Sequence, residues 1–303
     1  MRVASVLPSA TEIVCALGHE SELIARSAEC DYPATVARLP AVMRPRTFDF
    51  ERPSAEIDAR VTAARAAAES LYVLDVPLLR DLEPDLLLTQ DLCGVCSVTD
   101  AEVADACSRA GIAPRIVSLT PRTLDEVWTS VGTVAAALHD SARGRSLVSE
   151  LRLRSEESST SPPRPRVAVV EWLDPPIVAG LWVPEMIRRA GGTPVVGADG
   201  EPGVRTTWAQ LRDLAPDLVV LSPCSFPVER TRRELGVARL SREVEAAAGS
   251  RGVFLADEAY FSRPGPRLAD GVELLRRLLA TRPAQPAPMP VERWPASGPA
   301  VAA

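Results

Sequence analysis

The chain has 303 residues, 46% of them hydrophobic and 24% charged, with a formal net charge of −6. These values fit a globular protein of one large domain or two ordinary ones. They exclude a nucleic-acid-binding face, because the 34 basic residues are scattered and not clustered. No run of about 18 apolar residues marks a membrane span.

Met1 and Arg2 lead directly into an apolar run, Val3–Leu7, which reads as a buried strand. No charged leader, apolar stretch or cleavage site precedes it, so the expected location is the cytoplasm. In that compartment the six cysteines are expected to be reduced thiols. Ser9-x-x-Glu12 has the spacing of a capping box, and it predicts a helix closed by Gly18. Cys15 in that helix and Cys107 further on read as small buried hydrophobes. His19 and His139 read as surface or packing residues.

Leu23–Arg26 is the next predicted strand, followed by a polar loop, Ser27–Pro33. Residues 34–52 are rich in Pro and Arg and read as irregular. A helix is predicted from Ser54 to Leu71, then a strand at Tyr72–Asp75 and a short helix at Val76–Leu82. The strand Asp85–Gln90 opens onto Cys93-Gly-Val-Cys96. Thr99-x-x-Glu102 caps a helix that ends at Gly111, and Arg115–Ser118 is a strand. Residues 123–154 form one long helical pattern, placed to act as a rigid strut.

Ser155–Pro165, SEESSTSPPRP, is a linker by composition. Beyond it, strands are predicted at Val167–Val170, Asp217–Leu221 and Val253–Ala256. Helices are predicted at Val183–Ala190, after Thr207-x-x-Gln210, and at 228–235, 239–248 and 267–280. Residues 282–303 are rich in Pro and Ala and are expected to be disordered.

An internal repeat organises this layout. Leu79-Arg80-Asp81-Leu82-x-Pro84-Asp85-Leu86 returns as Leu211-Arg212-Asp213-Leu214-x-Pro216-Asp217-Leu218. Upstream of each copy, Arg2-Val3-Ala4-x-Val6 matches Arg166-Val167-Ala168-x-Val170. Two copies at long spacing imply two similar lobes and not a solenoid. Alternating strands and helices predict parallel sheets, with ligands beyond the carboxyl ends of the strands. The segments there are 8–12, 27–33, 91–98, 171–176, 222–227 and 257–266. They hold Cys30, Cys93, Cys96 and Cys224 together with Tyr32, Trp172, Phe226, Tyr260 and Phe261.

Cys93-x-x-Cys96 has the spacing of a zinc half-site or a thiol redox pair. Adding Cys30 and Cys224 gives four soft donors, a set suited to zinc or iron, and Glu29, Asp31, Glu171 and Asp257 are nearby oxygen donors. The alternative is that these cysteines only pack in tight loops. Arg263 in Arg-Pro-Gly-Pro is a candidate partner for an anionic group, and Trp172 a candidate stacking surface. Glu171 and Asp174 flank Trp172 as candidate acid or base groups. No P-loop, GxGxxG, HExxH or GxSxG motif is present.

The opening RVASVLPSATEIVCALG, the two-lobe repeat, the long central helix and the closing AYFSRPGPRLADGVELL resemble the class III periplasmic-binding proteins. These are the iron-siderophore and cobalamin receptors of ABC importers. The resemblance covers roughly residues 1–281. It is closest to the cobalamin-binding branch, through the blocks ECDYP, TQDLCGVC and EWLDPP. It implies an α/β fold of two Rossmann-like lobes, 1–120 and 156–281, joined by a long backbone helix at 121–155. It further implies a small-molecule ligand held between the lobes, with cobalamin the candidate, and Pro8, Ser9, Tyr32, Trp172 and Tyr260 as walls. Phe261 and Arg263 lie in the same set of loops. An ABC importer is a partner only if the chain is exported. The alternative functional reading is a cytoplasmic enzyme that uses a cysteine-lined metal or thiol site on the same scaffold. A third is an interaction module that binds a partner protein.

Overall fold

The structure, a computed structural model, describes residues 1–46, 51–67, 69–90, 98–158, 163–247, 249–280 and 291–295. The chain divides into two compact units. The first holds Met1–Arg52, Glu56–Pro121 and Asp125–Leu151; the second holds Pro53–Ala55, Arg122–Leu124 and the chain from Arg152 onward.

The first unit contains strands β1 (Val3–Ser5), β2 (Leu23–Ser27), β3 (Ala41–Pro45), β4 (Tyr72–Leu74), β5 (Leu86–Thr89) and β6 (Arg115–Ser118). Their order in the sheet is β4-β3-β2-β1-β5-β6. All neighbours are parallel except β3 and β4, which run antiparallel. The central strands β1 and β5 are buried along their whole length, and apolar except for Ser5 and Thr89 at their ends. Val3, Ala4 and Leu86–Leu88 are 1% exposed or less, as expected for a parallel sheet covered on both faces. Helices α1 (Pro8–Ala16), α2 (Ser54–Ala66), α3 (Val76–Leu82) and α4 (Asp100–Ala110) join them.

The sequence predicts parallel sheets and irregular chain over 34–52. The sheet is instead mixed at its margin, because Ala41–Pro45 forms a strand that turns back through Tyr72–Leu74. The proposed cap at Ser9 is also corrected. Leu7 is the N-cap and no side chain caps the helix. Pro8 takes the first helical position, where its fixed φ fits and its missing N–H is not needed. Ser9 then falls inside the first turn, 3% exposed. By contrast, Thr99 and Glu102 form the full reciprocal capping box, and Gly111 closes α4 in the left-handed region.

The helical segment expected to run unbroken over 123–154 is two helices, α5 (Leu124–Ala137) and α6 (Ser141–Arg154). His139 at the break has φ 61, a left-handed conformation that ends a helix. The two helices pack closely: a Cβ added at Gly144 of α6 would collide with the Cβ of Ala135 on α5. The segment Asp125–Leu151 groups with the first unit.

In the second unit the strands are β7 (Arg166–Leu173), β8 (Pro176–Val178), β9 (Thr193–Pro194), β10 (Val204–Arg205), β11 (Leu218–Leu221), β12 (Gly252–Ala256) and β13 (Val291–Trp294). The order is β10-β8-β7-β11-β12-β13, with β9 beside β7. β7, β11 and β12 are parallel; β8, β10 and β13 are antiparallel to their neighbours. The helices are α7 (Val183–Arg189), α8 (Trp208–Asp213), α9 (Val228–Leu235), α10 (Ala238–Ala246) and α11 (Leu268–Leu279). Thr207 and Gln210 form the predicted capping box of α8.

The tail is not wholly without structure. Val291–Trp294 pairs with β12 along four residues, and Glu292 forms an ion pair with Arg232 of α9. The Pro/Ala bias of the flanking sequence hides this short strand. No helix among the described residues is long and apolar enough to cross a membrane.

The repeat has a clear structural counterpart. In the first unit the Arg2 backbone N–H donates to Asp85 Oδ2 at 2.7 Å, and Arg2 Nε donates to the carbonyls of Leu82 and Glu83. In the second unit the Arg166 backbone N–H donates to Asp217 Oδ2 at 2.8 Å, and Arg166 Nε donates to Leu214 and Ala215. Each arginine thus satisfies carbonyls left open at the end of α3 or α8, and each aspartate ties that end to the paired strand start.

Candidate functional site

The carboxyl ends of β7, β11 and β12 in the second unit gather the densest group of chemically useful side chains. β7 ends in Glu171 and Trp172, β11 leads to Ser222, Cys224 and Phe226, and β12 leads to Asp257, Glu258, Tyr260, Phe261 and Arg263. The parallel pairing of the three strands brings these loops to one edge of the sheet.

Glu171 is half-buried and accepts a hydrogen bond from the Gly180 backbone N–H, while the Cys224 N–H donates to its carbonyl at 3.0 Å. Desolvation pushes its carboxyl up to about 7, and the Gly180 bond opposes the shift only in part. Gly203 lies directly against Glu171 Oε1, and a Cβ there would strike the carboxyl. Glycine at this position is what allows the β10 loop to lie over the acid.

Cys224 stands among Glu171, Glu258 and Arg263. The residue is exposed in outline, yet its thiol is crowded: desolvation first, then the charges of Glu258 and Glu171, push it up to about 12. It is therefore a neutral thiol at ordinary pH and a poor nucleophile. Glu258 is 6% exposed and is held by Arg263, whose Nε donates to Glu258 Oε1 at 2.6 Å. The charge of Arg263 is thus already matched inside the cluster. Ser222 donates to the Asp257 carbonyl, and Asp257 Oδ1 accepts from the Ala259 N–H, so Asp257 serves as a local cap.

Trp172 is half-buried and meets Phe226 edge to face, with ring centroids 5.4 Å apart. Its Nε1 donates to the Ser54 carbonyl, and Ser54, which groups with this unit, donates from its N–H and hydroxyl to Glu234 Oε1. The Arg230 guanidinium covers the Phe226 ring at 4.0 Å. Tyr260 is 9% exposed. Phe261 is 2% exposed and its carbonyl accepts from Trp182 Nε1. Phe261 thus packs in the core, where it offers almost no surface to a ligand.

The first unit places the remaining predicted residues at the ends of β1 and β2. Pro8 is half-buried at the start of α1, Ser9 is buried beside it, and Tyr32 is 51% exposed. Cys30 is buried, with its Sγ 3.1 Å from Thr11 Oγ1, so it ties the loop after β2 to α1. Cys93 and Cys96 lie outside the described residues. Among the described residues, no three His, Cys, Asp or Glu side chains stand close enough to hold a metal ion. Cys30 falls in the first unit and Cys224 in the second.

Glu258 is the side chain of this cluster that the sequence does not single out; its spacing of five from Arg263 is the available signal. Asp174, a candidate acid or base, pairs with Arg239 at 2.5 Å. It lines a separate groove of about 340 Å³ with Trp208, Pro176 and Glu243.

The sequence matches no protein-family model and no curated protein. Solved structures do share its fold. A periplasmic heme-binding protein from Pseudomonas aeruginosa superimposes with a TM-score of 0.67 at 20% identity, over 92% of each chain. The periplasmic vitamin B12 binding protein BtuF of Vibrio cholerae gives 0.57 at 18% identity, over 92% of this chain and 96% of that one. A protein of an ABC-type Fe3+-hydroxamate transport system from Saccharomonospora viridis gives 0.63 at 16% identity, over 91% and 92%. With two α/β units built on a duplicated strand–helix pattern and this likeness over nine-tenths of its length, the chain has the fold of the class III periplasmic-binding proteins.

Proposed function

We propose that this chain is a small-molecule binding protein whose ligand is a metal-bearing organic compound, with a corrinoid such as cobalamin as the first candidate. The observation that carries the reading is the likeness over about nine-tenths of the chain to proteins described as binding heme and vitamin B12 and to one of an Fe3+-hydroxamate transport system. The blocks ECDYP, TQDLCGVC and EWLDPP favour the corrinoid among the three.

Charge supports the same choice. Heme carries two carboxylate arms, whereas the rim of a corrinoid is lined mainly with neutral amides. At the strand ends of the second unit Arg263 is matched by Glu258, and Glu171 contributes either a neutral acid or a further negative charge. That cluster suits amides, which a neutral carboxyl and a paired carboxylate can both hydrogen-bond, better than anionic arms. Tyr32 and Trp172 keep exposed ring surface for contact with a flat ligand. In the cytoplasm, the location expected from the sequence, the protein would act as a carrier; exported, it would deliver its ligand to an ABC importer. The thiol alternative gains nothing from Cys224, which is protonated at ordinary pH.

The test is equilibrium dialysis of the purified chain against hydroxocobalamin, hemin and a ferric hydroxamate in turn, with metal content measured on the retained protein. The expected result is about one cobalt per chain, and binding about tenfold weaker in Tyr32→Ala, the scale of one well-packed aromatic contact. Retention of hemin or hydroxamate without corrinoid overturns the ligand assignment. Retention of none overturns the reading as a whole.

A further inference from the structure

Three parts of the first unit meet at His19. The residue follows Gly18 at the end of α1; Glu22 lies in the next turn; Asp140 lies at the break between α5 and α6. His19 Nδ1 is 2.7 Å from Glu22 Oε1, and Nε2 is 3.3 Å from Asp140 Oδ2. A neutral imidazole carries one N–H, so it can donate to only one of these carboxylates and must turn a lone pair toward the other. Only the imidazolium satisfies both.

The partners are themselves anchored. Glu22 Oε2 pairs with the Met1 ammonium at 3.1 Å. Asp140 Oδ1 accepts from the Arg143 N–H at 3.1 Å, and the Asp140 carbonyl accepts from the Gly144 N–H. Asp140 therefore starts α6 with one oxygen and holds His19 with the other. The charged or titratable groups facing this point are Glu22 and the Met1 ammonium from the chain start and the turn after α1, and Asp140 and Arg143 from α6. His139 occupies the turn itself, and Cys15 and Glu20 lie nearby on α1 and its following turn.

We infer that His19 is a proton-dependent latch that joins the end of α1 to the start of α6, closed while its ring carries two protons and released when it loses one. The hydrogen bond to Glu22 raises the ring above its usual value of 6.5, and Asp140 adds to the shift. Glu22 is lowered chiefly by the same bond, and Asp140 first by the Arg143 N–H and then by His19. The histidine contribution is thus fully present below the usual imidazole value and is lost as pH rises through the elevated one. The carboxylate contributions are present above the usual carboxylate values and are lost as pH falls through the lowered ones. The latch is firmest in the mildly acidic interval between.

The experiment uses the full chain. His139→Asn keeps a residue that tolerates the left-handed turn and leaves His19 as the one histidine of the two in the sequence. Its ring is titrated by NMR while amide exchange is followed at Arg143 and Gly144. The inference expects His19 to titrate above 6.5. Protection at those two amides should fall as it does so, by about tenfold for each pH unit by which Asp140→Asn lowers the His19 titration, where exchange follows the latch. Asp140→Asn should lower the His19 titration, and His19→Gln in the unaltered background should remove the pH dependence at Arg143 and Gly144. A ring that titrates at or below its usual value overturns the latch. So does a pH dependence at those amides that survives His19→Gln.

Discussion

Glu171 shows how burial alone can change what a residue does. Its carboxyl has no cation among the causes of its shift; desolvation raises it to about 7 and a single backbone N–H holds it back. The unfolded chain ionises this group near its usual value of 4.5, while the folded chain keeps it protonated until about 7. Across that interval the folded state binds the extra proton, so stability falls as pH rises and the full penalty is reached above about 7. Glu171→Gln removes the charge and keeps an oxygen for the Gly180 N–H. The variant should unfold about 2–4 °C higher than the parent at about pH 8 and at nearly the same temperature at about pH 5. Calorimetry at the two pH values decides it; equal shifts at both would mean that the carboxyl is not desolvated. Cys224 answers to the same physics with the opposite outcome for reactivity. Crowding first, and then two neighbouring carboxylates, keep it a thiol, so the strand-end position that made it attractive as a nucleophile also makes it a poor one.

The α5–α6 pair is where the element-level expectation changed most. A run of 32 residues (123–154) without proline reads as one helix, because periodicity cannot distinguish a long helix from two shorter ones related by a turn. What breaks it is tertiary: His139 adopts φ 61, and Gly144 lets α6 press its backbone onto Ala135. Gly144→Ala therefore sets two effects against each other. Helix propensity favours alanine by about 1 kcal/mol. The added methyl meets Ala135, and overpacking of this kind costs about 1–3 kcal/mol. The net expectation is loss of stability in urea unfolding, with a favourable coupling of about 1 kcal/mol when Ala135→Gly is added. If Gly144→Ala alone stabilises the protein, the close approach of the helices is not there. The same limit of local signals explains the other differences. Ala41–Pro45, second from the edge of its sheet, and Val291–Trp294, at the edge of the other, are short strands in Pro-rich surroundings, and their pairing comes from neighbouring strands, not from their own pattern. The buried central strands and the caps at Thr99 and Thr207 were legible because they depend on residues within a few positions of each other. In the candidate site, the strand-end rule gathers Trp172, Tyr260, Arg263 and Cys224 into one group, but only a spacing of five hints that Arg263 pairs with Glu258, and nothing in the sequence says that Phe261 turns inward.

At the scale of the whole molecule, the duplication carries the most information. The two copies diverge in edge strands and in loop chemistry, yet both keep the arginine at the start of the first strand and the aspartate before the central one. The structure supplies a reason. Each arginine donates to two carbonyls at or just past the end of a short helix, and the residue that supplies the second carbonyl is left-handed in both copies, Glu83 at φ 36 and Ala215 at φ 47. Each aspartate accepts the arginine's own backbone N–H, and its backbone N–H returns a bond to the arginine carbonyl at 2.8 Å in both units. A strained helix end is thus held by the same four-point clamp twice over. If the repeat marks a structural requirement and not a shared ancestry alone, Asp85→Asn and Asp217→Asn should have similar effects. An amide oxygen can still accept the backbone N–H, but without charge, so each substitution should cost about 0.5–1.5 kcal/mol, the scale of the difference between a charge-assisted and a neutral hydrogen bond. Asp→Ala at either position should cost more, because the arginine N–H then loses its partner altogether. Urea unfolding of the four single variants tests this directly. Matching losses in the order Ala greater than Asn at both positions support a duplicated clamp. A loss at one position with none at the other would mean that only one copy still depends on it, and that the second motif persists without a mechanical role.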